Sequence, residues 1–301
     1  MRKAAWAWLI SVALLGALSQ VQASAIYKFT DANGVVNYTD RVTPGAKRLV
    51  FQDRMVESLA AQVRLETRRA DGKVTFQARN DLYAPVQVEL RLSGLGNAAG
   101  TLPRSITRTV PPRSSLVLAS VAPAKAGRRV TGTPGFRYAL GDPSSNPQAY
   151  RYPFPWLGGP FRISQGANGR FSHTGPRGRY AIDIAMPEGT PIVAARAGTV
   201  IKVENSQGEG GEQASGNFVR VLHDDGTMSV YLHLMRGSVV VREGDKVAVG
   251  APLARSGNTG NSTGPHLHFV VQRNTGLGLV SIPYEFDKPL QSLPNFAVGN
   301  R

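Results

Sequence analysis

The chain contains five histidines, His173, His223, His233, His266 and His268, and none falls in the first 172 of its 301 residues. Histidines kept only for packing would be scattered, so this segregation points to a site. Neutral imidazoles combined with a carboxylate are good ligands for zinc. An imidazole beside such a centre can also carry a proton near neutral pH. Two of the five stand as Gly264-Pro265-His266-Leu267-His268-Phe269. In a strand, residues i and i+2 project from one face. His266 and His268 would then point together, one able to bind a metal and the other to act beside it. A lone H-x-H is weak evidence, and its weight depends on what surrounds it.

Other chemistries are excluded. There is no cysteine, so thiolate metal ligands, a cysteine nucleophile and disulfides are all ruled out. No H-E-x-x-H occurs, which sets aside the helix-borne design of zinc peptidases. His223 lies in Val221-Leu222-His223-Asp224-Asp225-Gly226, a strand end entering a turn. It reads as structural, with a ligand role in reserve.

The surroundings of the H-x-H sharpen the reading. The run Gly250-Ala251-Pro252-Leu253-Ala254-Arg255-Ser256-Gly257-Asn258-Thr259-Gly260-Asn261-Ser262-Thr263-Gly264 leads directly into Pro265-His266-Leu267-His268-Phe269. Upstream stand Tyr231-Leu232-His233-Leu234 and Asp183-Ile184-Ala185-Met186-Pro187-Glu188-Gly189-Thr190-Pro191. In this order, over about one hundred residues, the three elements resemble the signature of the lysostaphin-type, or LytM-like, zinc endopeptidases. The likeness covers roughly Phe161 to Tyr284. It implies that His173, Asp183 and His268 hold Zn2+, a three-ligand site with one position open for water. It implies that His266 and His233 are the non-ligand catalytic histidines. His266 would serve as the base; which of the two performs which step stays open.

One departure stands out. The commoner family form spaces its histidine and aspartate as H-x-x-x-D, but Arg179 lies four before Asp183. Ser172-His173-Thr174-Gly175 followed by Tyr180-Ala181-Ile182-Asp183 fits a variant in which an inserted loop returns His173 to the metal. The implied activity is hydrolysis of peptide cross-links in bacterial peptidoglycan, as a D,D-endopeptidase on the bond between D-Ala and a diamino acid. The alternative is a non-catalytic LytM-type activator of a cell-wall amidase, since some members have lost ligands. Here every expected position has a candidate, which favours the enzyme.

The elements that must position these residues are strands. Gly and Pro are abundant, and short Val-rich runs recur at Pro191 to Val203, Asn217 to Leu222, Met228 to His233 and His266 to Gln272, which predicts an antiparallel β domain over 150–301; the resemblance implies that this is a LytM-like peptidase domain with a groove. The Gly- and Glu-rich stretch Ser206 to Ser215 reads as a mobile loop at the site rim. Upstream, Val74, Phe76 and Ala78, then Val86, Val88, Leu90 and Leu92, alternate with polar residues, and Leu116 to Val121 follows a Pro111-Pro112 turn. These predict a small β-sandwich over 57–141, with 142–149 as a linker. The sequence leaves open whether that region blocks the groove, presents substrate or recruits a partner. Residues 26–56 read as a short hairpin domain turning at Asn33-Gly34, similar to a small domain found on exported bacterial proteins. The fold class is mainly β throughout.

Residues 1–25 read as a signal peptide: Arg2 and Lys3, an apolar run from Trp6 to Leu18, and Ala23-Ser24-Ala25. No other segment is apolar enough to cross a membrane, so no stable span is expected after cleavage. The expected address is secreted, in the periplasm of a Gram-negative cell. The net charge is +15, or +13 once Arg2 and Lys3 leave with the signal. That charge favours anionic envelope polymers. Peptidoglycan is the expected partner, with other cell-wall enzymes or envelope proteins as further candidates; export argues against nucleic acid.

Overall fold

The computed structural model describes residues 25–30, 36–39, 44–45, 47–50, 59, 61–211 and 213–289. Residues 1–24 of the expected signal peptide and the Asn33-Gly34 turn lie outside them. Among the described residues the secondary structure is all β, and no helix is long and apolar enough to cross a membrane. The first sheet has three strands, β1 (Ala25–Thr30), β2 (Val36–Thr39) and β3 (Lys47–Val50), in the order β2-β1-β3, both pairings antiparallel.

Six strands follow: β4 (Val63–Ala70), β5 (Lys73–Asn80), β6 (Val86–Gly96), β7 (Ser105–Val110), β8 (Ser114–Val121) and β9 (Thr131–Leu140). They form two antiparallel three-stranded sheets, β4-β5-β8 and β7-β6-β9. Val74, Phe76 and Ala78 from one and Val86, Val88 and Leu90 from the other are buried in a shared core. The alternation read in the sequence is the alternation the sandwich uses.

The last region contains β10 (Arg151–Tyr152), β11 (Arg162–Gln165), β12 (Ile182–Ala185), β13 (Pro191–Val193), β14 (Gly198–Glu204), β15 (Asn217–Leu222), β16 (Met228–Leu234), β17 (Lys246–Val247), β18 (Pro252–Arg255), β19 (His266–Asn274), β20 (Leu279–Ser281) and β21 (Glu285–Phe286). Its centre is an antiparallel sheet ordered β11-β12-β19-β16-β15-β14-β17, with β20 added on β19. One face, carrying Ile184, Tyr231, Leu267, Phe269 and Val271, packs on β13, β18 and an aromatic group that includes Tyr152 and Trp156. The opposite face carries a small apolar cluster of Ala181, Phe218, Val230, Leu232 and Val270, while Ile201 and Met228 join the core of the preceding sandwich. The histidines stand beside that small cluster.

One expected strand is two. Pro191 to Val203 breaks after Val193: β13 pairs with β18, whereas β14 joins the central sheet. Between them, Ala194 exchanges backbone hydrogen bonds with Gly250 and Ala251, and the Ala195 amide donates to the Tyr231 hydroxyl. Those bonds replace ladder bonds and turn the chain from one sheet to the next.

Candidate metal centre

The site is assembled across the central sheet. β12 and β19 pair with Asp183 directly opposite His268 and Ala185 opposite His266. Directly opposed residues share a face, so the Asp183 carboxylate and the His268 imidazole meet. His266, two residues before His268, projects beside them. Asp183 Oδ1 lies 2.8 Å from His268 Nδ1, 3.2 Å from His173 Nε2 and 3.8 Å from His266 Nε2.

His173 reaches this point from outside the sheet. It lies on the turn-rich segment between β11 and β12, fully buried. Its amide donates to Gly169 O, and its ring Nδ1 lies 2.8 Å from Gly166 O. A carbonyl can only accept, so Nδ1 carries the proton and Nε2 is directed at Asp183. A backbone carbonyl fixing the far nitrogen is how metal-ligating histidines are commonly oriented.

His233 comes from the neighbouring strand by a different device. Along β16, Tyr231 faces the main core, and strict alternation would send His233 the same way, away from His268. The β15–β16 register shifts here: Asn217 pairs with Leu234 and Val219 with Tyr231, so two residues oppose one. This is a β-bulge, which re-aims a side chain. His233 adopts φ 60°, a left-handed conformation costly for a residue with a Cβ and often stored at functional positions. The ring turns to the site, its centroid 4.7 Å from that of His266 and 5.9 Å from that of His268.

Thr259 holds that conformation, and the sequence reading gave it no role. His233 Nδ1 donates to Thr259 O at 2.8 Å. The Thr259 hydroxyl donates to Leu234 O at 2.7 Å and accepts from the Asn217 amide at 2.9 Å. Gly216 and Gly260 close around it, and a Cβ on Gly216 would overlap the Thr259 backbone. The available signal was its place between Asn258 and Gly260, where the run needs a tight turn. His266 is set similarly, with Nδ1 2.8 Å from Gly264 O and 3.0 Å from Ser262 Oγ. Both His233 and His266 therefore carry the proton on Nδ1 and present Nε2.

Electrostatics agree with a metal. Burial works to raise the Asp183 carboxyl, yet the imidazoles of His268 and His173 overcome it and hold the group well below the ordinary carboxylate range. Burial, then the nearby His266 and His268 rings, pushes His233 down to about 3, so it is neutral in ordinary buffers. The ligand atoms of His173, Asp183 and His268 all lie within 4.8 Å of one another, and all three residues are buried. Asp183 Oδ1 is buried with no well-formed hydrogen bond, a costly state for a carboxylate unless a cation completes it. The donor set fits zinc.

The segment 206–215 does border this site. Ser215 O accepts from the His233 amide, the Asn261 amide donates to Ala214 O, and Glu209 bridges to Gly260. His223 stands apart. It is buried, with Nδ1 2.8 Å from Ala197 O and Nε2 3.1 Å from Ser229 Oγ, and it joins no ligand group.

The family model of peptidase family M23 matches residues 177–277, the stretch that carries Asp183, His233, His266 and His268. These residues form an M23 peptidase domain. A second model, the domain of unknown function DUF4124, matches residues 13–62. The chain is 35% identical over 117 residues to peptidoglycan DD-endopeptidase ShyA of Vibrio cholerae, covering 38% of this chain and 25% of that protein. It is 37% identical over 91 residues to lysostaphin of Staphylococcus staphylolyticus, covering 30% and 18%. The chain thus spans about a quarter or less of the length of these relatives. The solved catalytic domain of the prophage-encoded M23 protein EnpA from Enterococcus faecalis shares 29% identity, with a TM-score of 0.33, over 42% of this chain and 92% of that one. The M23 domain is of the LytM-like kind the motifs resemble, and it lies on the antiparallel β framework expected of it.

Proposed function

We propose that this chain is a zinc-dependent endopeptidase that hydrolyses peptide cross-links of bacterial peptidoglycan, acting as a D,D-endopeptidase after export to the periplasm. The observation that carries the reading is the convergence of His173 Nε2, Asp183 Oδ1 and His268 Nδ1, with two further imidazoles presenting Nε2 beside them. The names of the relatives supply the substrate class: one is a peptidoglycan DD-endopeptidase.

His173, Asp183 and His268 would hold the ion. Zinc bound there would supply Lewis acidity and make water a better nucleophile at neutral pH. His266, with Nε2 open 3.8 Å from Asp183 Oδ1, takes the proton from the attacking water. His233, whose Nδ1–H is held by Thr259 O, presents a bare Nε2 beside His266 that accepts a hydrogen bond or a proton from the attacking water or the bound peptide. An activator of an amidase would need none of these groups arranged in this way.

The test is digestion of purified cross-linked peptidoglycan by the mature protein, with products read by mass. Cross-linked species should disappear, persist in the presence of a chelator, and disappear again when zinc is restored. A folded, zinc-loaded protein that leaves the cross-links intact would refute the enzyme and favour the activator.

A further inference from the structure

His173 and Asp183 are ten positions apart, and the loop joining them needs something to hold its ends in register. The side chain that does so is Gln165, the last residue of β11, buried with 5% of its surface exposed. It stands directly opposite Asp183 because the β11–β12 register shifts between Ile163 and Gln165. Without the extra residue, Ser164 would take that place. Across the sheet the row then reads Gln165, Asp183, His268, Leu232.

The amide of Gln165 is used at both ends. Nε2 donates to Asp183 Oδ2 at 3.0 Å and to Ser172 Oγ at 2.8 Å. Oε1 accepts from the amides of Phe171 at 3.0 Å and Ser172 at 3.4 Å. The chain then wraps over the side chain so closely that a Cβ on Gly169 would overlap Gln165 Cγ and Cδ. The next carbonyl, Gly166 O, is the one that holds His173 Nδ1.

We propose that Gln165 is the positioning residue of this metal centre: it locks the Asp183 carboxylate so that Oδ1 alone faces the ion, and ties it to the loop that presents His173. This deepens the zinc reading above and rests on it. An amide suits the task. Its N–H satisfies Oδ2 without adding charge, whereas a carboxylate there would repel Asp183 and an apolar side chain would leave Oδ2 buried without a donor. In a shorter H-x-x-x-D arrangement the chain itself brings the two ligands together; with ten residues between them, a cross-strand strut takes over.

The experiment uses the full mature chain and two probes, zinc affinity by competition with a chromophoric chelator and the visible absorption of the cobalt-loaded protein. Gln165→Leu should bind zinc about 10- to 100-fold more weakly, in the range found when an outer partner of a ligand is removed, and its cobalt spectrum should change. Gln165→Glu, which keeps the size and the loop acceptor, should lose at least as much and serves if the leucine variant does not fold. Ser172→Ala removes only the loop hydroxyl and should cost less than either. Wild-type zinc affinity and an unaltered cobalt spectrum in a folded Gln165 variant would overturn the proposal while leaving the zinc reading intact. A wild-type chain that takes up neither metal would overturn both.

Discussion

His233 and His266 lie outside the candidate ligand group of His173, Asp183 and His268, and the proposed division of roles can be measured. His233 hydrogen-bonds only a backbone carbonyl through Nδ1, so removing its ring leaves His173, Asp183 and His268 in place. His233→Ala should keep zinc at one equivalent, with affinity within about threefold of wild type. Its rate on peptidoglycan should fall by roughly 10²- to 10⁴-fold, the usual loss when a positioned proton-transfer group is deleted. Full activity in a zinc-loaded His233→Ala protein would remove the residue from the mechanism. The types and order of the site residues were legible in the sequence, because imidazoles are few and their flanking motifs are distinctive. What holds them was not. Thr259 meets His233 through its carbonyl, which every residue has, and Gln165 looks like any polar residue at a strand end until a register shift sets it against Asp183.

At the scale of elements, β5 was legible because one face is buried and alternation survives, and β6 because its apolar residues alternate with polar ones even though Gln87 and Glu89 are buried as well. The boundary that was missed lies inside one apolar run: the residues from Pro191 give no sign of the bend that parts β13 from β14. The bulges were equally hidden, since an inserted residue changes the facing of a side chain without changing composition. His223 shows how these strands are tied. Its ring spans from the turn before β14 to β16, through Ala197 O and Ser229 Oγ, and Ser229 Oγ lies 3.2 Å from the Tyr231 hydroxyl. Burial, helped by Arg196 and opposed by the Ala197 bond and by Asp225 and Asp224, pushes its pKa down from 6.5 to about 4. The unfolded chain therefore binds more protons between those values, so stability rises with pH across the window. It is complete above about pH 6.5 and lost as pH falls toward 4. At ~1.4 kcal/mol per unit the loss is on the order of 3 kcal/mol. Melting followed from pH 7 to 4.5 should show wild type losing more stability than His223→Asn, even though the variant starts lower. Parallel losses would assign the pH dependence to other groups.

For the whole molecule, the decisive feature is how the sandwich of residues 61–140 joins the peptidase sheet. Ile201, Met228 and Leu279 are buried in the core of the sandwich itself. Around them, Gln62 bonds Glu243 and Lys202, Lys202 pairs with Glu243 at 3.0 Å, and Asn274 Nδ2 donates to Gly141 O at 3.0 Å. The segment after Gly141 is fastened as well, the Gln148 amide donating to Asp225. All of this lies toward the Met228 and Asn274 ends of β16 and β19, whereas His233 and His266 lie at the other ends. Five residues from Met228 to His233 at ~3.3 Å each place the attachment about 17 Å from the site. The sandwich is therefore packed into the peptidase sheet at the ends of β16 and β19 away from His233 and His266. A chain cut back to residues 150–301 would expose three large apolar side chains, at about 1.5–3 kcal/mol each as an upper range. It should melt at least ~10 °C lower than the full mature chain, since each kcal/mol moves the midpoint of a domain this size by a few degrees. Per folded molecule it should digest peptidoglycan no faster. A shortened chain of undiminished stability and greater activity would mean that residues 61–140 restrain the site after all, by a movement away from the packing seen here.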